Sequence, residues 1–285
     1  METKAPLRAG QLTSGPWGPH TATLDWCEQN YEHFLYIAET WNSFSNIPFV
    51  LLALYGMHTT LREGLPNQVR YALQHAMIAF IGIGSFLFHA TLLWHAQLLD
   101  ELPMIYASFQ AIYCILLEGR PSSSGSLLTK IACAGIPALF TAIYLVYPNP
   151  VFHQIVYGAL QLFITYRMQL LLGKIPPESK LKKDCTHLLK TGSALTVLAF
   201  AIWNVDNIMC DSITAWRDSV GWIGVLSQGH GWWHLLVACG SNRFVVALIG
   251  LACGLKDHEA YEVSYSLYAF PYLRKVNSGE VSKSK

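Results

Sequence analysis

Two histidines four residues apart, His230 and His234, stand in the run Gln228-Gly229-His230-Gly231-Trp232-Trp233-His234, at the head of a long apolar stretch. In a helix this spacing puts both imidazoles on one face, about one turn apart. An imidazole in an apolar helix is costly unless it binds something. The pair matches the two-histidine part of the zinc-peptidase helix His-Glu-x-x-His. Gly231, however, stands where that helix carries its glutamate base. Three histidines with an open fourth position make a catalytic zinc site, which lowers the pKa of a bound water to about 7 and polarises a carbonyl. Such chemistry needs a third ligand and a base from elsewhere in the chain.

The elements that must supply them are membrane helices. Of the 285 residues, 52% are hydrophobic and only 13% charged, about half the charged share of an ordinary soluble domain. The apolar residues come in runs of about 20, the length that spans a bilayer core. The fold expected is all-α, a polytopic bundle of seven transmembrane helices over 43–60, 70–93, 98–118, 127–147, 151–172, 187–206 and 228–254. The first and sixth runs are the least apolar, carrying Asn42, Ser43, Ser45 and Asn46 in one and Asn204 and Asp206 in the other. Polar groups in a span usually face the bundle interior. Tyr147-Pro148-Asn149-Pro150 reads as a tight turn. The N-terminal segment has no apolar core and so is no cleaved signal peptide. A net charge of +1 gives no hint of nucleic acid.

Charge sets the orientation. Arg62, Arg70, Arg120, Lys130, Lys174, Lys180, Lys182, Lys183 and Lys190 fall in the odd loops, and Lys256, Arg274, Lys275, Lys283 and Lys285 in the tail. The second and fourth loops carry no Lys or Arg, and the sixth only Arg217. Positive charge stays in the cytosol. The expected division is therefore a lumenal segment 1–42, a membrane domain 43–254 and a cytosolic polar tail 255–285. The tail is expected to be disordered at its end. On this topology Ser85, His89, Asp100, His230 and His234 share one lumen-side layer although they come from three helices. His89 becomes the third candidate zinc ligand. Asp100 becomes the leading candidate base, with Glu101 and Asp206 behind it. Ser85 could hydrogen-bond the attacking water or steady an oxyanion.

Plainer readings stand beside these. A lone histidine on an apolar helix is more often a hydrogen-bonded structural residue, and His75 and His153 are read that way. A helix serine commonly bonds a preceding carbonyl, and Asp100 could cap the third span. Trp232 and Trp233 read as interfacial anchors or packing. A second polar cluster, Asp25, Glu28, Asn30, Glu32 and Glu39, precedes the first span. Oxygen ligands at short irregular spacing suit a hard cation such as calcium, and a solvated acidic helix beside the membrane has the same composition. Cys27 and Cys210 both fall on the oxidising side, where a disulfide between them is open to test. Cys114, Cys133, Cys239 and Cys253 sit in or near spans and read as packing.

From Trp17 to about residue 250 the chain resembles the alkaline ceramidase family, on the branch that includes the fungal enzymes. The resemblance rests on WGPHTATLDWCEQNY, YIAETWNSFSN, GIGSFLFHATL, QLLDELPMIY, VFHQIVYG, WNVDNIMC and QGHGWWHLL together. It extends more loosely to the superfamily of seven-helix hydrolases that includes progestin and adiponectin receptor-like proteins. It implies a membrane amidase that cleaves ceramide to sphingosine and a fatty acid in the endoplasmic reticulum or Golgi. It also implies zinc on His89, His230 and His234, and catalytic roles for Ser85 and Asp100. Calcium would sit on Asp25, Trp26 (through its carbonyl), Glu28, Asn30 and Glu39, and Cys27 would pair with Cys210. A lipid receptor or sensor of the same superfamily, a hydrolase of another lipid, and a channel or transporter remain as alternatives. The topology predicts that a C-terminal tag is accessible from the cytosol; a lumenal tag in a protease-protection assay would reject it.

Overall fold

The computed structural model describes residues 12–118 and 127–276 and is mostly helical. Arg120, Lys4, Arg8, Lys283 and Lys285, with the expected disorder at the end of the tail, lie outside the described residues. A two-residue hairpin, β1 (Ser14–Gly15) and β2 (Gly18–Pro19), opens the chain, followed by an irregular segment. The helices are α1 (Thr40–Phe44), α2 (Asn46–Arg62), α3 (Gln68–Thr91), α4 (Trp94–Leu117), α5 (Leu127–Val146), α6 (Pro150–Leu172), α7 (Lys180–Ile208), α8 (Cys210–Val220) and α9 (Gly229–Gly254). A 3-10 turn over 221–227 joins α8 to α9, and an antiparallel hairpin, β3 (Tyr261–Ser266) and β4 (Phe270–Lys275), ends the described chain.

Four helices, α3, α5, α6 and α7, are long and apolar enough to cross a membrane, as is the stretch Cys210–Gly254 that ends in α9. α2 has only 17 residues, and α4 carries Asp100, Gln97 and Glu101. The low apolarity of α4 has a cause, since it turns polar side chains inward: Gln97 and Glu101 are buried, as is Asn46 on α2.

Local sequence explains the helix starts. Pro150 occupies the first turn of α6, where its missing N–H costs nothing, and the Asn149 side chain accepts the Phe152 amide at 3.1 Å. Ser179 caps α7 by accepting the Lys182 amide at 3.3 Å.

Packing divides the bundle in two. The larger apolar core, which includes Ile115, Met168, Leu188 and Leu248, fills the end where α7 begins and α9 finishes. α9 lies along α7, and Gly192 and Gly240 let their backbones meet there. The other end carries the polar layer, floored by a small cluster around Trp26, Phe88 and Leu92. The N-terminal segment is laced onto the α3–α4 turn. Leu92 adopts a left-handed conformation, φ 51°, uncommon for a residue with a side chain. Its carbonyl thereby accepts the Thr21 and Ala22 amides at 3.1 and 3.0 Å.

The tail departs from the all-α, polar-tail expectation. After α9 the chain turns back and β3 and β4 pack against α9, α7 and α2, burying Val263 and Leu273 in the large core. The hairpin is held by Glu262 between Lys180 and Arg274 and by the Arg62 guanidinium 5.3 Å from the Tyr272 ring. The aliphatic residues that drive this burial are few and scattered among charges, so average composition hides them.

One helix contact positions the site. A Cβ at Gly84 of α3 would collide with the Leu99 carbonyl of α4. Pro103, four residues on, has no N–H to give that carbonyl. The two backbones therefore touch where Ser85 must meet Asp100. Gly84→Ala is expected to cost about 1–3 kcal/mol through overpacking, read as a lower thermal midpoint in detergent; an unchanged midpoint would mean the helices are not pressed together there.

Candidate metal centre

His89 ends α3, and His230 and His234 open α9; their side chains converge, and one ring nitrogen from each lies within 4.8 Å of the others. All three are buried. The His89 and His230 Nε2 atoms are 3.2 Å apart. Nitrogens on a tetrahedral zinc, at about 2.0–2.1 Å each, are separated by roughly 3.3 Å, a spacing that this pair matches, and the three imidazoles together make a group that could hold a metal ion.

The far sides of the rings decide which nitrogen is free. Ser45 Oγ donates to the Asn42 carbonyl at 2.9 Å, so toward His234 Nδ1, 2.7 Å away, it can only accept. The Asn46 amide nitrogen, also a donor, is farther from Nδ1 at 3.4 Å and is already given to the Asn42 carbonyl at 2.9 Å, so the shorter Ser45 contact favours the proton on Nδ1 and leaves the Nε2 lone pair of His234 free. His89 Nδ1 donates to Glu39 Oε2, with the same result. A carboxylate or hydroxyl behind a ligand histidine is the usual way to orient it. His230 has no hydrogen bond at Nδ1 and is set instead by Trp26, stacked on its ring at 4.1 Å and 23°.

Ser85 lies 3.4 Å from His234 Nε2 through its Oγ and hydrogen-bonds Asp100. Serine thus bridges the aspartate to the histidine centre. Asp100 stands in the second turn of α4, which begins at Trp94, so it is no helix cap. The two reserve bases are committed elsewhere. Glu101 accepts the Tyr144 hydroxyl at 2.6 Å and the Gln97 amide at 3.1 Å. Asp206 pairs with Arg217 at 3.0 Å and caps α9 by accepting the Gly229 amide at 3.2 Å. His153 donates to the Glu101 carbonyl at 2.8 Å, a structural role. His75, expected to be hydrogen-bonded, is instead buried against Gly56 with no partner at either ring nitrogen, roughly 21 Å along α3 from His89.

The acidic segment is not a solvated helix. Residues 25–39 are irregular, and Glu28, Asn30 and Glu39 are buried while Glu32 is exposed. Asn30 Nδ2 sits 3.3 and 3.4 Å from the Asp25 oxygens, and Asp25 hydrogen-bonds Glu39. Glu39 also accepts the Trp26 amide at 3.0 Å and the Asn42 side chain at 3.2 Å. Glu28 accepts the Trp41 and Asn42 amides at 2.6 and 2.8 Å, stitching the segment to the first turn of α1. Asp25, Asn30 and Glu39 are therefore together, with Glu28 alongside. Asn30 Oδ1 is buried without a partner, and the donor set is all oxygen, as a hard cation requires. Burial pushes the Glu39 carboxyl up to about 8. Burial, then the neighbouring Glu39 charge, pushes Glu28 up to about 8 as well.

Cys27 and Cys210 form a disulfide, and the Arg217 guanidinium reinforces it by donating to the Cys27 carbonyl at 3.1 Å and the Ser227 carbonyl at 2.8 Å. Cys114, Cys133, Cys185, Cys239 and Cys253 are free. Sequence reading missed Ser45, Trp26 and Glu39 as supports of the three imidazoles. Its only signal was the prediction that polar residues of the first span face inward.

Known proteins are similar to this chain over most of its length. A family model described as ceramidase matches residues 18–274. The chain is 36% identical over 233 residues to alkaline ceramidase 3 of Mus musculus, covering 81% of this chain and 84% of the relative. It is 32% identical over 247 residues to the alkaline ceramidase YPC1 of Saccharomyces cerevisiae, covering 82% and 78%. An alkaline ceramidase of Arabidopsis thaliana is 29% identical over 261 residues, covering 90% and 94%. A match that takes in the N-terminal acidic segment, the three histidines and Asp100 alike leaves one assignment: the chain belongs to the ceramidase family.

Proposed function

We propose that this chain is an integral-membrane hydrolase that cleaves the amide of ceramide to a sphingoid base and a free fatty acid, using zinc held by His89, His230 and His234. The observation that carries the reading is the convergence of three buried imidazoles beside the Ser85–Asp100 pair, in a chain matched to ceramidases over nearly its whole length. In this reading α2, α3, α4, α5, α6, α7 and α9 each cross the membrane. The histidines then lie toward the lumen of the endoplasmic reticulum or Golgi, and the tail lies in the cytosol.

When bound, zinc would acidify water and polarise the amide carbonyl. The chain's own residues do the rest. Asp100 accepts a proton from the attacking water and returns it to the departing nitrogen. Ser85 holds that carboxylate in place, and its hydroxyl can turn to the carbonyl oxygen as charge grows there. Glu39 and Ser45 keep the Nδ1 protons of His89 and His234, so both present Nε2 inward. The exposed apolar flanks of the bundle suit a substrate that arrives sideways from the bilayer.

Asp100→Asn is expected to lower turnover of purified protein about 10²–10⁴-fold, the range for a positioned acid–base group, while zinc content by mass spectrometry stays at wild-type level. His234→Ala is expected to lose both. Full activity in the asparagine variant would remove Asp100 from the mechanism.

We assign calcium to Asp25, the Trp26 carbonyl, Glu28, Asn30 and Glu39. Without a cation, Glu28 and Glu39 keep their protons up to about pH 8. A cation must displace them, so binding releases protons and its affinity rises with pH until about 8, then levels. Calorimetry should find calcium affinity about tenfold weaker per pH unit below 8 for each proton displaced. An affinity that does not change between pH 6.5 and 8.5 would count against these ligands, as would a Glu39→Ala protein that binds calcium like wild type.

A further inference from the structure

A groove of about 370 Å³ runs down the flank of the bundle between α7, α9 and β3, away from the histidines. Leu195 and Leu198 are among its aliphatic lining, and His187, Thr191, Arg243 and Tyr265 are its polar lining. Arg243 lies nine residues beyond His234 on α9, roughly 14 Å further along the helix, inside a stretch apolar enough to cross a bilayer. A guanidinium carries five N–H donors. Arg243 donates to the carbonyl of Cys239 on its own helix at 3.1 Å. Among the described residues no carboxylate comes within ion-pairing distance of it. Of the acids nearby, Asp184 faces Lys180, His187 and Tyr265, and Glu262 is paired with Lys180 and Arg274. Lys183, exposed, shares a helix stripe with His187 and Thr191 at spacings of four, which adds positive charge at the mouth.

An intramembrane cation with no counter-charge is costly. We propose that the counter-charge is the headgroup of an anionic phospholipid seated in this groove, its phosphate on Arg243 and an acyl chain along Leu195 and Leu198. The planar fork of guanidinium matches phosphate oxygens in pairs. Two unpaired cations favour a headgroup of net negative charge over phosphocholine, whose ammonium offsets its own phosphate. The hairpin tip supports a lipid at this depth, because Leu267 is 83% exposed and Tyr268 102%, side chains that suit a bilayer interface. The lipid would clamp α7, α9 and β3 where the Gly192–Gly240 contact already draws the two helices together. None of this depends on what the metal centre does.

The test uses the full-length protein in neutral detergent, titrated with phosphatidylglycerol or phosphatidylcholine, and reads the thermal midpoint and the lipid retained in native mass spectrometry. Phosphatidylglycerol at a hundredfold excess over its Kd is expected to raise the midpoint by roughly 5 °C and to remain bound one per chain, and phosphatidylcholine to do neither. Arg243→Gln should abolish the difference. Should that variant fail to fold, His187→Ala/Tyr265→Phe, at two exposed positions, should lower phosphatidylglycerol retention several-fold. Equal responses to the two lipids in the wild type overturn the proposal and leave Arg243 as a side chain that merely reaches water. Undiminished phosphatidylglycerol retention in either variant overturns it equally.

Discussion

The buried carboxyl group of Glu39 joins three parts of the chain through its side chain. One oxygen accepts the Trp26 amide from the N-terminal segment; the other receives His89 at the end of α3 and Asn42 of α1. A fully buried carboxylate is stable only when hydrogen-bonded on all sides, so each of these partners is obliged to stay. The same group orients a metal-ligand histidine and contributes an oxygen to the acidic cluster. The two proposed cation positions would therefore not be independent, since whatever draws charge from Glu39 on one side alters the basicity of His89 on the other.

Around that contact the bundle is polarised along its axis. One end is a conventional aliphatic core, and the other is a layer of imidazole, hydroxyl, amide and carboxylate groups hydrogen-bonded to one another. In a bilayer such a layer persists only if sealed from lipid. The seal is built by the disulfide-linked N-terminal segment, the Arg217 network under α8, and the Trp26 ring over His230. The Gly84–Leu99 contact between α3 and α4 serves the same layer by placing Ser85 against Asp100.

Much of this was legible in residue order. Counting along spans of bilayer length was enough to expect His89, Asp100, His230 and His234 in one layer, and the structure brings them together, because span length and the 1.5 Å rise leave little freedom. The Pro-Asn-Pro turn before α6 and the histidine face of α9 are local properties and were readable for that reason. The hairpin after α9 was not, because its fold comes from Val263 and Leu273 docking on distant helices and not from a hydrophobic pattern of its own.

By itself, then, the sequence determined the long apolar helices and their order, and singled out the three histidines and the aspartate that those helices bring together. The tertiary structure alone decided which nitrogen of His89 and of His234 is free, that Glu101 and Asp206 are committed to Tyr144 and Arg217, and that Glu39 touches both a histidine of the cluster and the acidic segment. The reason is physical. Depth follows from counting along a helix, whereas hydrogen-bond partnership depends on how helices rotate and approach one another, and that is set by contacts as local as a glycine against a carbonyl.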